Sequence, residues 1–270
     1  MANVQTKNAV VEYFVDGQGP GLVLVHGTGG SAELNWSQVV EPFSRQRTVV
    51  RPNFSGSGHT TDAGGPLSAA QLAEQVVDAA KAAGTTPFDI IGFSLGAGVA
   101  AVVAAQYPQL VRSIILVAGF AETGDSYFRL EFPLWLDLMN SNRLALARLF
   151  LMTGFSSGFL RNLSESQVEA SALGIVAGTN WNGLARQVEL IRTLDIQEQV
   201  RAITQPTLVI GCAQDCIVPV HHQRRLAEMI SGAEYSELAT GLLVASEEPE
   251  AFADVIEEFL VRRSLSDQTS

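Results

Sequence analysis

Short β-branched apolar runs recur along the chain. Longer stretches separate them, in which apolar residues return every three or four positions. Residues 10–14, 22–25, 49–50, 88–91, 114–117, 208–210 and 235–238 read as strands. Most of these runs lack polar alternation, as strands buried on both faces do. Ser68 is placed to cap a helix with Leu72, Val76, Val77 and Ala80 on one face, and Gly84 to end it. Residues 97–107 predict a helix of small side chains. After Pro249, the stripe Phe252, Val255, Ile256, Phe259 and Leu260 predicts a last helix, with a frayed tail over 264–270. Strands alternating with helices imply a mostly parallel sheet covered on both faces.

One region breaks the rhythm. From about residue 122 to about 198 no strand is predicted. Helices rich in Phe, Leu and Trp are, including Phe132, Trp135, Leu136, Met139 and Phe155. An insertion between two core strands forms a helical cap over one sheet edge, and a cap over a site has two apolar faces. Those five residues are therefore candidate pocket walls for a hydrophobic small molecule.

With 270 residues, 47% of them hydrophobic, the chain suits one large α/β domain with an inserted lid. Its formal charge of −11, with no basic run, disfavours nucleic acid. The first residues lack the charged and apolar regions of a signal peptide. No stretch approaches the ~18 apolar residues that span a bilayer. The expected location is the cytoplasm, with no membrane partner; oligomeric state is left open. Cys212 and Cys216 are the only cysteines, too few for a disulfide framework or a zinc site. No metal constellation and no dinucleotide fingerprint is visible, so no cofactor is expected.

Four motifs carry chemistry. Gly92-Phe93-Ser94-Leu95-Gly96 lies between a strand and a helix, as a nucleophile elbow does. His26-Gly27-Thr28-Gly29-Gly30 follows the strand at 22–25. Residues 53–60 read Asn-Phe-Ser-Gly-Ser-Gly-His-Thr. Residues 211–219 read Gly-Cys-Ala-Gln-Asp-Cys-Ile-Val-Pro. Taken in this order the chain resembles the α/β-hydrolase fold superfamily, in its capped, serine-nucleophile branch. The resemblance implies an α/β core of eight mostly parallel strands over 1–121 and 199–264, with a helical cap over 122–198 after the sixth strand. It implies Ser94 as nucleophile and Asp215 as triad acid. The oxyanion hole would be formed by the backbone N–H of Leu95 and of Thr28 or Gly27, with His26 structural or at the pocket.

The resemblance also implies a histidine after the last strand. That place is Gly241-Leu242, and no histidine follows His222. Leucine has no lone pair and cannot take a proton. Loss of a triad member costs roughly 10⁶ in kcat and leaves roughly 10³–10⁴ over water, so the sequence does not describe an efficient Ser-His-Asp hydrolase. Asn53 and Ser55 stand where the family carries Asp and Arg, so a charged brace under the site is missing. Three readings follow. The first is an enzyme doing non-hydrolytic or histidine-independent chemistry (cyclisation, elimination or acyl rearrangement) on a hydrophobic molecule. The second is a weak or inactivated carboxylester or thioester hydrolase, and the third is a small-molecule-binding protein without catalysis.

Overall fold

A computed structural model describes residues 1–267, with side-chain burial described through 263. Nine strands form one sheet: β1 (Ala2–Gln5), β2 (Ala9–Asp16), β3 (Gly21–Val25), β4 (Thr48–Pro52), β5 (Thr61–Asp62), β6 (Phe88–Phe93), β7 (Val111–Val117), β8 (Thr207–Cys212) and β9 (Glu234–Leu238). Their order is β1-β2-β4-β3-β6-β7-β8-β9, with β5 paired to β2. The pairings from β4 through β9 are all parallel, and only β2 pairs antiparallel, with β1, β4 and β5. The main path has the eight strands expected, with the two-residue β5 added beside β2, and the helical insertion follows β7, the sixth strand of that path in chain order. β1 escaped the apolar pattern because its residues alternate between half-buried and exposed at a sheet edge.

The central strands β3, β6, β7 and β8 are buried along most of their length, which explains their unbroken apolar runs. The helix Ala69–Ala82 starts as predicted: the Ser68 hydroxyl accepts from the Gln71 N–H, and Gly84 takes φ +69° just beyond the end. The last helix runs Pro249–Asp267, past the point where fraying was expected; residues 268–270 lie outside the described residues.

Between β7 and β8 lie six helices: Ser126–Ser141, Arg143–Gly154, Ser157–Leu160, Glu165–Gly178, Trp181–Ile191 and Gln197–Arg201. An isolated bridge between Glu122 and Asp195 brings the two ends of this stretch together. The boundary read at 198/199 cuts the helix Gln197–Arg201, whose Val200 is fully buried. Among the described residues, no helix is long and apolar enough to cross a membrane.

Candidate active site

The loops after β3, β6, β8 and β9 meet at the carboxyl edge of the sheet, where an open parallel sheet holds its ligands. β6 ends in the elbow. Ser94 takes φ 53° and ψ −119°, a conformation that strains a side chain bearing Cβ. Its glycines are required by close approach. A Cβ on Gly92 would lie 2.2 Å from the Gly96 carbonyl oxygen, and one on Gly96 would lie 2.3 Å from the Val25 oxygen. The Ser94 N–H donates to the Val117 carbonyl at 2.9 Å, which locks the turn to the sheet. Ser94 lies on a cavity of about 720 Å³. Among the described residues, no side chain hydrogen-bonds its hydroxyl.

Two of the three expected oxyanion donors are free. The Leu95 N–H opens a helix, where amides lack an intrahelical partner, and neither it nor the Thr28 N–H is bonded to a described residue. Gly27 is a correction: its N–H donates to Asn35 Oδ1 at 2.9 Å and is already used. The next amide, Gly29, donates to Gln187 Oε1 at 2.8 Å. Gln187 is fully buried, and its Nε2 reaches the Ser57 hydroxyl at 3.0 Å and the Ser55 carbonyl at 3.3 Å. One side chain from the helix Trp181–Ile191 therefore ties the loop after β3 to the glycine turn at 53–60. Arg186 beside it forms a two-pronged pair with Asp62 at 3.0 Å.

Asp215 sits at the end of β8. Its Oδ1 accepts from the Ile217 and Val218 amides at 2.8 Å, and its Oδ2 from Gln223 Nε2 at 2.9 Å. Burial dominates all the same: the carboxyl is pushed up to about 7, with those three bonds pulling the other way. Leu242 stands where an imidazole was sought. It is buried and lines the cavity. Its loop is held by Glu247, which accepts from the amides of Gly241 at 3.0 Å and Ser156 at 2.7 Å. Glu131, from the helix Ser126–Ser141, carries a buried Oε2 without a partner. Its carboxyl is pushed up to about 9, by burial first and by Asp215 second.

The histidines fall in three places. His26 is fully buried, stacked on Phe54 at 3.9 Å, with Nδ1 2.8 Å from the Gly27 carbonyl. Burial lowers it to about 4, so it stays neutral. It does not line the cavity, which corrects its candidacy as a pocket residue. His59 does line the cavity, and its Nδ1 lies 2.9 Å from Glu12 Oε1. His221, exposed, and His222, half-buried, gather with Asp125: one ligand atom from each lies within 4.8 Å of the others. His222 Nε2 is 2.7 Å from Asp125 Oδ2, and its ring packs on Phe128 at 4.6 Å. The sequence reading of no metal constellation missed this cluster, because Asp125 lies far from the histidines along the chain.

Phe132, Trp135 and Phe155 line the cavity as expected, joined by Trp36, Phe93 and Phe150. Leu136 and Met139 do not, although they share a helical face with Phe132 and Trp135: Met139 is buried in the core, and Leu136 borders a separate surface cleft. Among the described residues, no Lys or Arg lines the cavity. Three of its residues carry buried polar atoms without a partner: the Thr28 hydroxyl and the indole N–H groups of Trp36 and Trp135. The places of the missing Asp and Arg are held by hydrogen bonds. Asn53 donates to Glu12 Oε2 at 2.7 Å and accepts from the Ala32 amide, and Ser55 is held at both its N–H and its hydroxyl by Gln75 at 2.8 Å.

Known proteins are similar to this chain in sequence or in fold. A pyrrolizixenacetamide deacetylase of Xenorhabdus hominickii is 46% identical over 97% of this chain and 98% of its own length. An enol-lactonase from Burkholderia xenovorans LB400 superposes with a TM-score of 0.86 at 24% identity, covering 96% of this chain and all of its own. MGS-M2, from a Medee basin deep-sea metagenome library, reaches 0.88 at 21% identity, over 96% and 97%. The model of the alpha/beta hydrolase fold family matches residues 20–244, and the chain belongs to that family of enzymes.

Proposed function

We propose that the chain cleaves an acyl group, in the first place an N-acyl amide, from a neutral apolar small molecule, with Ser94 as nucleophile and no imidazole at position 242. The observation that carries this reading is the elbow. A serine is kept at φ 53° beside two unbonded amides, Leu95 and Thr28, at the wall of a mostly apolar cavity. A scaffold that only bound its ligand would have no use for that strain. The similarity to a deacetylase over nearly the whole chain supports acyl–nitrogen cleavage.

The cavity suits the substrate class. Its volume is that of a drug-sized ligand. The absence of lysine and arginine from its lining disfavours an anion. The buried donors of Thr28, Trp36 and Trp135 fit a ligand bearing carbonyl acceptors. In this reading the six helices act as the lid, Leu95 and Thr28 hold the oxyanion, and Asp215 is a triad acid left without its ring. A cytoplasmic setting fits two free cysteines, one buried.

The test is turnover of p-nitrophenyl acetate and of an N-acetyl anilide, with intact-mass detection of an acetylated Ser94. Acetate release with an acetyl adduct on Ser94 supports the reading. Conversion of a natural-type ligand by a Ser94→Ala variant at the unaltered rate overturns it. That result would favour non-hydrolytic rearrangement, for which the unbonded donors of the cavity would serve as carbonyl polarisers.

A further inference from the structure

The cavity has an imidazole–carboxylate pair, though not where a triad holds one. His59 follows Gly58 in the turn after β4, and Glu12 lies in the middle of β2. The Glu12 side chain is 2% exposed and the His59 side chain 88%. Glu12 Oε2 accepts from Asn53 Nδ2 at 2.7 Å and from the His59 backbone N–H at 2.9 Å, and Oε1 faces His59 Nδ1 at 2.9 Å. Burial raises the Glu12 carboxyl, but those bonds together outweigh it and hold it below its ordinary range. Glu12 is therefore an anion and can only accept, so Nδ1 carries the hydrogen. That fixes the tautomer and leaves the Nε2 lone pair unused. Glycine at 58 is needed for this: it takes φ +52°, and a Cβ there would lie 2.4 Å from Glu12 Oε2.

His59 lines the same cavity as Ser94. The other ionisable side chain on the lining is Glu33. His26 is buried behind the wall, Asp215 is not on the lining, and position 242 has no proton chemistry. We infer that the Glu12–His59 pair is the proton-exchanging group of this cavity, a role that rests on the acyl-cleavage reading. Ser94 and His59 are not hydrogen-bonded to each other, so the transfer runs through water or a polar atom of a ligand spanning both walls. As Ser94 Oγ bonds to the acyl carbon, its proton passes along that relay to His59 Nε2. As the bond from carbon to the leaving nitrogen breaks, the same proton returns to that nitrogen. Glu12 keeps its charge throughout and stabilises the imidazolium by 2.9 Å contact.

The experiment is the pH dependence of kcat/KM for p-nitrophenyl acetate in the unaltered protein, His59→Gln, His59→Ala and Glu12→Gln. The exposed position of His59 spares the fold in its two variants. His59→Gln is expected to lower kcat/KM by roughly 10²-fold and to remove the acidic limb that protonation of an imidazole base imposes. Free imidazole is expected to restore part of the activity of His59→Ala but none to His59→Gln. Glu12→Gln is expected to lower kcat/KM as well, since Nδ1 loses its anionic acceptor. An unchanged kcat/KM and acidic limb in His59→Gln overturns the inference. With Ser94→Ala inactive in the same assay, that result would leave the acyl-cleavage reading standing; Ser94→Ala at full rate would remove that reading instead.

Discussion

Asp215 and Glu12 are both buried carboxylates, each accepting three hydrogen bonds, at opposite sides of the sheet. Their protons behave in opposite ways: Asp215 is pushed up to about 7, and Glu12 is held below its ordinary range. The difference lies first in desolvation, which is far deeper at Asp215, and then in the neighbours. Two of the donors to Glu12 belong to His59, whose ring carries positive charge when protonated and faces solvent. Asp215 has two backbone amides and a neutral glutamine, with Leu242 where a ring would stand and the carboxyl of Glu131 nearby. Three neutral bonds hold a carboxylate in place, but they do not offset its desolvation. Near neutral pH Asp215 is thus only partly ionised, whereas Glu12 keeps its charge.

The sharpest way to break this contrast is to give Asp215 a ring. Leu242→His is expected to raise p-nitrophenyl acetate turnover by about 10³-fold, short of the roughly 10⁶ of an intact triad because Asp215 is already bonded to Gln223. No gain in a correctly folded variant would mean that the loop held by Glu247 no longer aims position 242 at Ser94. A smaller effect is expected from Ser94→Ala. Members of a triad act as a unit, so losing the serine costs little once its base is gone. With a proton acceptor at His59, the loss is expected to be about 10²-fold or more; a silent substitution would assign all rate to the oxyanion donors.

The backbone of this site was legible from local sequence. The elbow, the glycines after β3 and the acid loop each depend on neighbours within a few residues, because backbone sterics act locally. What stayed hidden was carried by long-range pairs. Gln187 meets Gly29 across 158 positions, and Glu12 meets His59 across 47. No motif announces a side chain whose partner is chosen by packing. Leu136 and Met139 failed for a related reason: hydrophobicity marks a residue as buried without saying whether the core or the cavity buries it.

Gln187 offers a third test, midway in size. Gln187→Met fills similar volume and leaves the Gly29 amide and the Ser57 hydroxyl unpaired. It is expected to cost about 1–3 kcal/mol in chemical denaturation. Esterase activity should fall with it, since the Thr28 amide is one residue from the freed position. Stability unchanged to within about 0.5 kcal/mol would show that water replaces the clamp.

The smallest effect returns to the Asp215 side. Glu131 is pushed up to about 9 and Asp215 to about 7, against roughly 4 for both in an unfolded chain. Between about pH 4 and 9 the folded state therefore binds more protons than the unfolded one, and stability falls as pH rises. This is the reverse of the usual carboxylate, and the reverse of Glu12, whose lowered value adds stability above its unfolded range and loses it in acid. Glu131→Gln keeps the shape and removes the titration. Its melting temperature is expected to match the unaltered protein near pH 4, and to exceed it near pH 9 by the equivalent of about 1–2 kcal/mol, less than a fully buried acid would give because Glu131 is only half-buried. A variant that is less stable at high pH would mean that ionised Glu131 has a partner. The desolvated corner around Asp215 would then be supported in the way the Glu12 corner is.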